Sequence, residues 1–204
     1  MDQFAITSVE QLRDVYPPPA ERAVRKEVDH LDEHCRRFIS LSPIVLVASA
    51  DAAGFCDVSP KGGPAGFVRV LDEHRLVIPD ATGNRRLDTF QNMLENPRVG
   101  TLFLIPGMGE TLRVNGTVAL SRDPELIEDA QTGGRPAKLA LVITVETAYL
   151  HCAKAVIRSK LWSDETWPER QDLPSAAEIL NDHVGLADLA ASAAALEESY
   201  TQRL

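Results

Sequence analysis

Two adjacent arginines, Arg85 and Arg86, stand ahead of an amphipathic stretch in "PDATGNRRLDTFQNMLENPRVG", residues 79–100 of an otherwise acidic chain. A helix start exposes unpaired backbone N–H groups and carries partial positive charge, so a phosphate placed there gains hydrogen bonds and favourable electrostatics. Asn84 is a candidate cap for such a helix, and Arg85 and Arg86 could add charge-assisted bonds to phosphate oxygens. The alternative is a solvated helix face on which the arginines pair with Asp80, Asp88 or Glu95. A second cluster, "DVSPKGGPAG" at 57–66, puts Ser59 and Lys61 on the same side of an extended segment. Its glycines and prolines suit either close approach to a ligand or an ordinary irregular loop. A third, "HCAKAVIRSKLWSDETW", concentrates Lys154, Arg158, Lys160 and Trp162. Trp162 and Trp167 could stack on a planar ring or serve as packing anchors.

Other chemistries are poorly supported. The chain has no GxSxG, HExxH, GxGxxG or Walker motif. His30 and His34 are spaced for one helical face, but no third metal ligand accompanies them. Cys35, Cys56 and Cys152 are odd in number, scattered and without a CxxC pair, which predicts buried free thiols rather than a disulfide framework or a zinc site. The net charge of −9 argues against nucleic acid or an anionic membrane as a partner, so any anion site must be local. No apolar run reaches the roughly 18 to 20 residues of a spanning helix, and "MDQFAITSVEQL" lacks a basic start followed by an apolar core. A cytoplasmic protein is expected.

The elements that must position these clusters are legible from periodicity. "SVEQLRDVY" predicts a short helix. After a proline break comes a longer one carrying Val24, Val28, Leu31, Cys35 and Phe38. From Ser42 the pattern becomes β-rich, with a hairpin turn at 51–54, a second at 72–74 and a third around the glycines of 106–109. "SRDPELIEDA" predicts a short helix, and "AKLALVITVETAYLHCA" a long strand with Thr144, Glu146 and Tyr149 toward its polar face or end. About six strands joined mostly by hairpins favour a closed antiparallel barrel over a doubly wound parallel sheet. The expected fold is mainly β with helical appendages, a single domain over 1–204 with N-terminal helices near 8–40 and an alanine-rich helix near 175–203.

The ordered set "VLVASADAAGFCDVSPKGG", "HRLVIPDATGNRRLDTFQNMLENPRVGTLFLIPG", "LRVNGTVALS" and "KAVIRSKLW" resembles the pyridoxamine 5'-phosphate oxidase-like family of split barrels that bind flavin mononucleotide (FMN). The likeness runs over residues 40–165. It implies a six-stranded antiparallel split barrel with FMN sites at a homodimer interface. Carried over by position, Asn84, Arg85 and Arg86 would hold the FMN phosphate. Ser59 and Lys61 would run beside the flavin, and Ile78 and Pro79 would offer backbone contacts. Thr111 and Arg113 would approach the flavin edge, while Lys154, Arg158, Lys160 and Trp162 would reach the site from the other subunit. The vitamin B6 oxidases of the family share a basic "RxxxLLK"-like strand and a C-terminal arginine and histidine pair. Here "DVSPKGG" and "SYTQRL" stand instead, which argues against vitamin B6 oxidation. The resemblance therefore implies an FMN-dependent oxidoreductase exchanging electrons with a small molecule, NAD(P)H being one candidate donor. The rival reading is a non-enzymatic FMN carrier. A heme binder is disfavoured because no histidine falls in the matched site segments.

Overall fold

The computed structural model describes residues 4–80, 83, 85–128, 136–185 and 188–202. Seven strands build one antiparallel sheet: β1 (Ile44–Ala50), β2 (Cys56–Gly62), β3 (Arg69–Val70), β4 (Arg75–Pro79), β5 (Arg98–Leu104), β6 (Thr111–Ser121) and β7 (Ala140–His151). Their spatial order is β2-β1-β5-β6-β7-β4-β3. Side chains alternate as a pleated strand requires, so β1 buries Val45, Val47 and Ser49 and leaves Ile44, Leu46 and Ala48 half-exposed. The first hairpin closes on Asp51, whose Oδ1 accepts the N–H groups of Ala53 and Phe55, both at 2.9 Å. Pro60 lies in the edge strand β2, where one face of the backbone has no neighbour to serve.

The inner face packs against two helices, α3 (Glu33–Leu41) and α4 (Asp88–Glu95), numbered after α1 (Val9–Val15) and α2 (Glu21–Arg25). From α3 come Cys35, Phe38 and Ile39, and from α4 Phe90 and Met93, all in the same core as Val45, Phe103, Val114 and Ile143. Asp32 caps α3 by accepting the Cys35 N–H at 2.7 Å, which holds its carboxyl below the usual range. Four further α-helices follow among the described residues: α5 (Pro124–Ile127), α6 (Lys154–Ser159), α7 (Ala176–Val184) and α8 (Leu189–Gln202).

Several expectations are corrected. The sheet has seven strands rather than six, and it is open: among the described residues no backbone pairing joins β2 to β3 or β4. It is nevertheless strongly curved. Five strand spacings of about 4.8 Å would put β2 and β4 roughly 24 Å apart in a flat sheet. Yet Lys61 of β2 reaches within 3.9 Å of Asp80, the residue after β4. The long N-terminal helix is interrupted because Val28 makes a two-bond bridge with Ala148 of β7, and the Leu31 N–H donates to the Glu73 carbonyl. Beyond Arg75, β7 has no β4 neighbour, and Val28 takes up that exposed backbone. The C-terminal helix is two helices, α7 ending at Gly185, whose φ of 70° is left-handed. Of the three thiols only Cys35 is buried, its pKa pushed up to about 12 by desolvation, whereas Cys56 and Cys152 are exposed.

Candidate functional site

The curvature that fails to close the sheet leaves a cleft between β2, the end of β4 and the start of α4. Its volume is about 530 Å³, within the roughly 300 to 1,000 Å³ of small-molecule sites. Among the described residues four cations line it, Lys61, Arg85, Arg86 and Lys138, together with Ser59, Phe90 and the carboxylates Asp57, Asp80 and Asp88. For a chain of net charge −9 this is a local concentration of positive charge.

The turn entering α4 is shaped at some cost. Arg85 and Leu87 have φ of 65° and 63°, left-handed conformations that cost a non-glycine residue about 1 to 3 kcal/mol each. Packing holds them there: Phe90 and Met93 anchor α4 in the core, and the Thr89 hydroxyl donates to Asp57 of β2 at 2.8 Å. Leu87, not Asn84, is the N-cap residue, and among the described residues no side chain caps the helix. The first N–H groups of α4 therefore face the cleft end without a side-chain acceptor at the N-cap. Asn84 itself lies outside the described residues.

The charges are arranged in pairs. Arg86 donates through Nη2 and Nε to Asp88 Oδ2, at 2.7 and 2.8 Å, which raises the guanidinium pKa. This is one of the pairings that the sequence left open. Lys61 lies 3.9 Å from Asp80 and 5.1 Å over the Phe90 ring. Burial pushes the Asp80 carboxyl up, and Lys61 and Lys138 offset part of that rise. Arg85 has no ion pair among the described residues and projects from the strained turn.

Of the residues singled out by sequence, the structure thus brings Ser59, Lys61, Arg85 and Arg86 to one cleft. Pro79 precedes Asp80 at its wall, while Ile78 is fully buried, its backbone in register with Leu141. The others are elsewhere in the chain. β7 runs from Ala140 to His151, and its start pairs with the end of β4 at Pro79. The cleft lies at the first end. Thr111, paired with His151, lies at the second, together with Arg113, paired with Tyr149. There Arg113 donates to the Tyr149 hydroxyl at 2.9 Å. Lys26 donates to the Leu150 carbonyl at 2.8 Å and sits over the same ring. Lys154 and Arg158 are on α6, Lys160 caps its end, and all three are exposed. Trp162 donates its indole N–H to the Met108 carbonyl at 2.8 Å, so it packs on its own chain's β5–β6 turn.

Sequence reasoning missed Lys138, Asp57 and Phe90 as cleft residues. For Lys138 no local signal exists, because only the pairing of Pro79 with Ala140 carries it to the end of β4. Asp57 and Phe90 were within reach: Asp57 alternates with Ser59 and Lys61, and Phe90 opens the helix that follows the arginines.

No curated protein matches the chain. Solved structures with a related course include HupZ from Group A Streptococcus, with TM-score 0.49 and 20% identity over 58% of this chain and 92% of that one. A protein from Clostridium acetobutylicum related to general stress protein 26 of B. subtilis has TM-score 0.45 and 16% identity over 58% and 86%. HutZ, the heme storage protein from Vibrio cholerae, has TM-score 0.41 and 14% identity over 60% and 94%. The sequence model of pyridoxamine 5'-phosphate oxidase matches residues 31–152, a span that runs from the residue before the α3 cap to just past the end of β7 and so contains the whole sheet and the cleft's lining. On that match the chain belongs to the pyridoxamine 5'-phosphate oxidase family.

Proposed function

We propose that the protein is an FMN-dependent oxidoreductase whose cofactor occupies the cleft beside α4. The observation that carries this reading is the meeting of Lys61, Arg85 and Arg86 at a helix start that no side chain of the described residues caps, in a cleft of cofactor size. The residues fit the group. A phosphate monoester would find two guanidiniums and the first backbone N–H groups of α4, which no side chain of the described residues caps, with Asn84 beside them in the chain. Ser59 and Lys61 border the space left for the ring, with Pro79 one residue before Asp80 at its wall. FMN supplies the redox chemistry, accepting a hydride or electrons. Lys61, held over Phe90, provides the positive charge that offsets negative charge arising on the ring. The buried Phe90 ring gives the cleft an apolar wall.

In this reading two copies form a homodimer. Pro60, Leu46, Leu102, Arg113 and Tyr149 make one row across the outer sheet face, where Leu46, Leu102, Arg113 and Tyr149 are half-exposed. A two-fold partner docked on such a face would bring its own Thr111, Arg113, Lys154, Arg158, Lys160 and Trp162 toward a cleft that these residues do not reach in their own chain. The partner in electron exchange is a small molecule, with NAD(P)H the first donor to try.

The visible absorption spectrum of the purified protein tests the cofactor. The reading expects a flavin spectrum and released FMN identified by mass, and a Soret band or a colourless protein that takes up no FMN would reject it. Bleaching of the bound flavin by NADH, NADPH or another small reductant, followed by reoxidation over repeated cycles, supports an enzyme. A flavin that binds but is not turned over marks a carrier instead.

A further inference from the structure

Of the three carboxylates on the cleft wall, two are already engaged by strong donors. Asp57 accepts the Thr89 hydroxyl at 2.8 Å, and Asp88 accepts two N–H groups of Arg86. Asp80 differs. Among the described residues its only close charge partner is Lys61, at 3.9 Å, and both side chains are 17% exposed. Lys138, ahead of β7, acts on the same carboxyl. Among the described residues the remaining charged groups around the cleft are Asp57 on β2, Arg85 and Arg86 in the turn, and Asp88 at the start of α4.

An ionised Asp80 is thus withdrawn from water and compensated by a loose pair of lysines. Burial already favours its neutral form. An anionic ligand adds a like charge to the same space and competes for Lys61 and Lys138. Either effect favours protonation of Asp80, the one carboxylate of the three that accepts no hydrogen bond from the described residues.

We propose that an anionic ligand entering this cleft, FMN on the reading above, draws a proton from solvent onto Asp80, making Asp80 the proton-uptake group of the site. The proton moves from buffer to the carboxylate, and no covalent bond of the ligand changes. By linkage, protonation of Asp80 strengthens ligand binding by the same factor by which the ligand strengthens protonation. Asp80 acts through Lys61 and the local charge rather than by touching reacting atoms, and so is a positioning residue.

The test is calorimetric titration of FMN into the cofactor-free full chain, in buffers of different ionisation enthalpy, from about pH 4.5 to 7.5, for wild type, D80N and K138Q. The FMN phosphate also titrates near pH 6, but that contribution is common to all three proteins. Wild type should take up more protons than D80N. D80N should bind FMN about threefold to tenfold more tightly at neutral pH, the scale of one charge acting across a partly hydrated cleft. That advantage should vanish toward acid, where the wild-type carboxyl is neutral too. K138Q should move the uptake window to higher pH. Equal proton uptake in wild type and D80N, or an affinity ratio independent of pH, would overturn the proposal. If FMN gives no binding heat, the flavin reading fails. The same titration with inorganic phosphate then decides Asp80 alone: a wild-type excess of proton uptake keeps its role, and no excess discards it.

Discussion

The two ends of β7 carry similar side chains and use them differently. At its start, Lys61, Arg85, Arg86 and Lys138 surround a cleft. At its end, Lys26 and Arg113 flank the Tyr149 ring at 5.0 and 5.5 Å, and α6 and Trp162 lie nearby in the chain. In the second cluster the polar groups are consumed by the chain itself: Lys26 by a backbone carbonyl, Arg113 by the tyrosine hydroxyl, Trp162 by Met108. In the first, Arg85 and Leu87 are both held left-handed within one turn, against Lys160 alone at the end of α6, no side chain of the described residues caps α4, and space remains. A cluster of cations and aromatics in sequence is therefore weak evidence for a site. Strain, open helix donors and volume in one place are stronger, because each costs stability that packing elsewhere must offset.

The harshest way to break the comparison is to disturb the bulge that joins the ends. β6 and β7 shift register at Asn115/Gly116, and a Cβ at Gly116 would run into the Thr144 carbonyl. G116V should lower stability by several kcal/mol, about 3 or more. Thermal denaturation followed by circular dichroism would read this as loss of a cooperative transition. A wild-type melting curve would show that the bulge is not needed.

A sharper cut is R85A/R86A. Each charge-assisted hydrogen bond lost should cost about 1.5 to 3 kcal/mol in FMN affinity, while riboflavin, which lacks the phosphate, should be nearly unaffected. Fluorescence titration of both ligands measures the difference. Equal losses would remove the phosphate role and leave Arg86 as the partner of Asp88.

The far end is probed by W162A. If the dimer places this segment at its partner's cleft, the variant should bind FMN roughly tenfold more weakly and dissociate at higher protein concentration, because ligand and dimer are linked by mass action. Sedimentation over a dilution series, with and without FMN, is the measurement. A monomer with undiminished affinity would reject the shared site and leave Trp162 a packing residue on Met108.

The smallest expected effect belongs to a control remote from the cleft. D32A removes the α3 cap and should cost about 1 kcal/mol at neutral pH, roughly 2 to 4 °C in melting temperature, without altering FMN affinity. Because the native state holds this carboxyl below its usual value, its contribution is present above the unfolded pKa of 3.8 and is lost as pH falls through the lower native value. Asp80 has the opposite sign. Its raised value means that D80N should be the more stable protein at neutral pH, an advantage that disappears in acid. Melting curves from pH 3 to 7 separate the two, and parallel pH dependences would contradict both assignments.

Hairpins were legible because turn chemistry is local. Asp51 to Gly54, Asp72 to His74 and Pro106 to Gly109 each carry their own signals, and the structure turns at all three. The same holds for the arginine pair ahead of α4. The break in the N-terminal helix was not legible, since Val24, Val28 and Leu31 keep helical spacing while Val28 pairs with Ala148, 120 positions along the chain.

By itself the sequence determined the antiparallel β character, the alternation that buries Val45, Val47 and Phe103, and a cationic turn at a helix start. Those properties depend on neighbours within one turn or one strand. Only the tertiary structure decided that the sheet curves without closing, that Lys138 and Asp80 join Lys61 at the gap, and that Arg113 and Trp162 stand at the other end of β7. Those outcomes depend on strand order and register, which arise from the packing of many distant side chains at once and leave no mark in the spacing of any few residues.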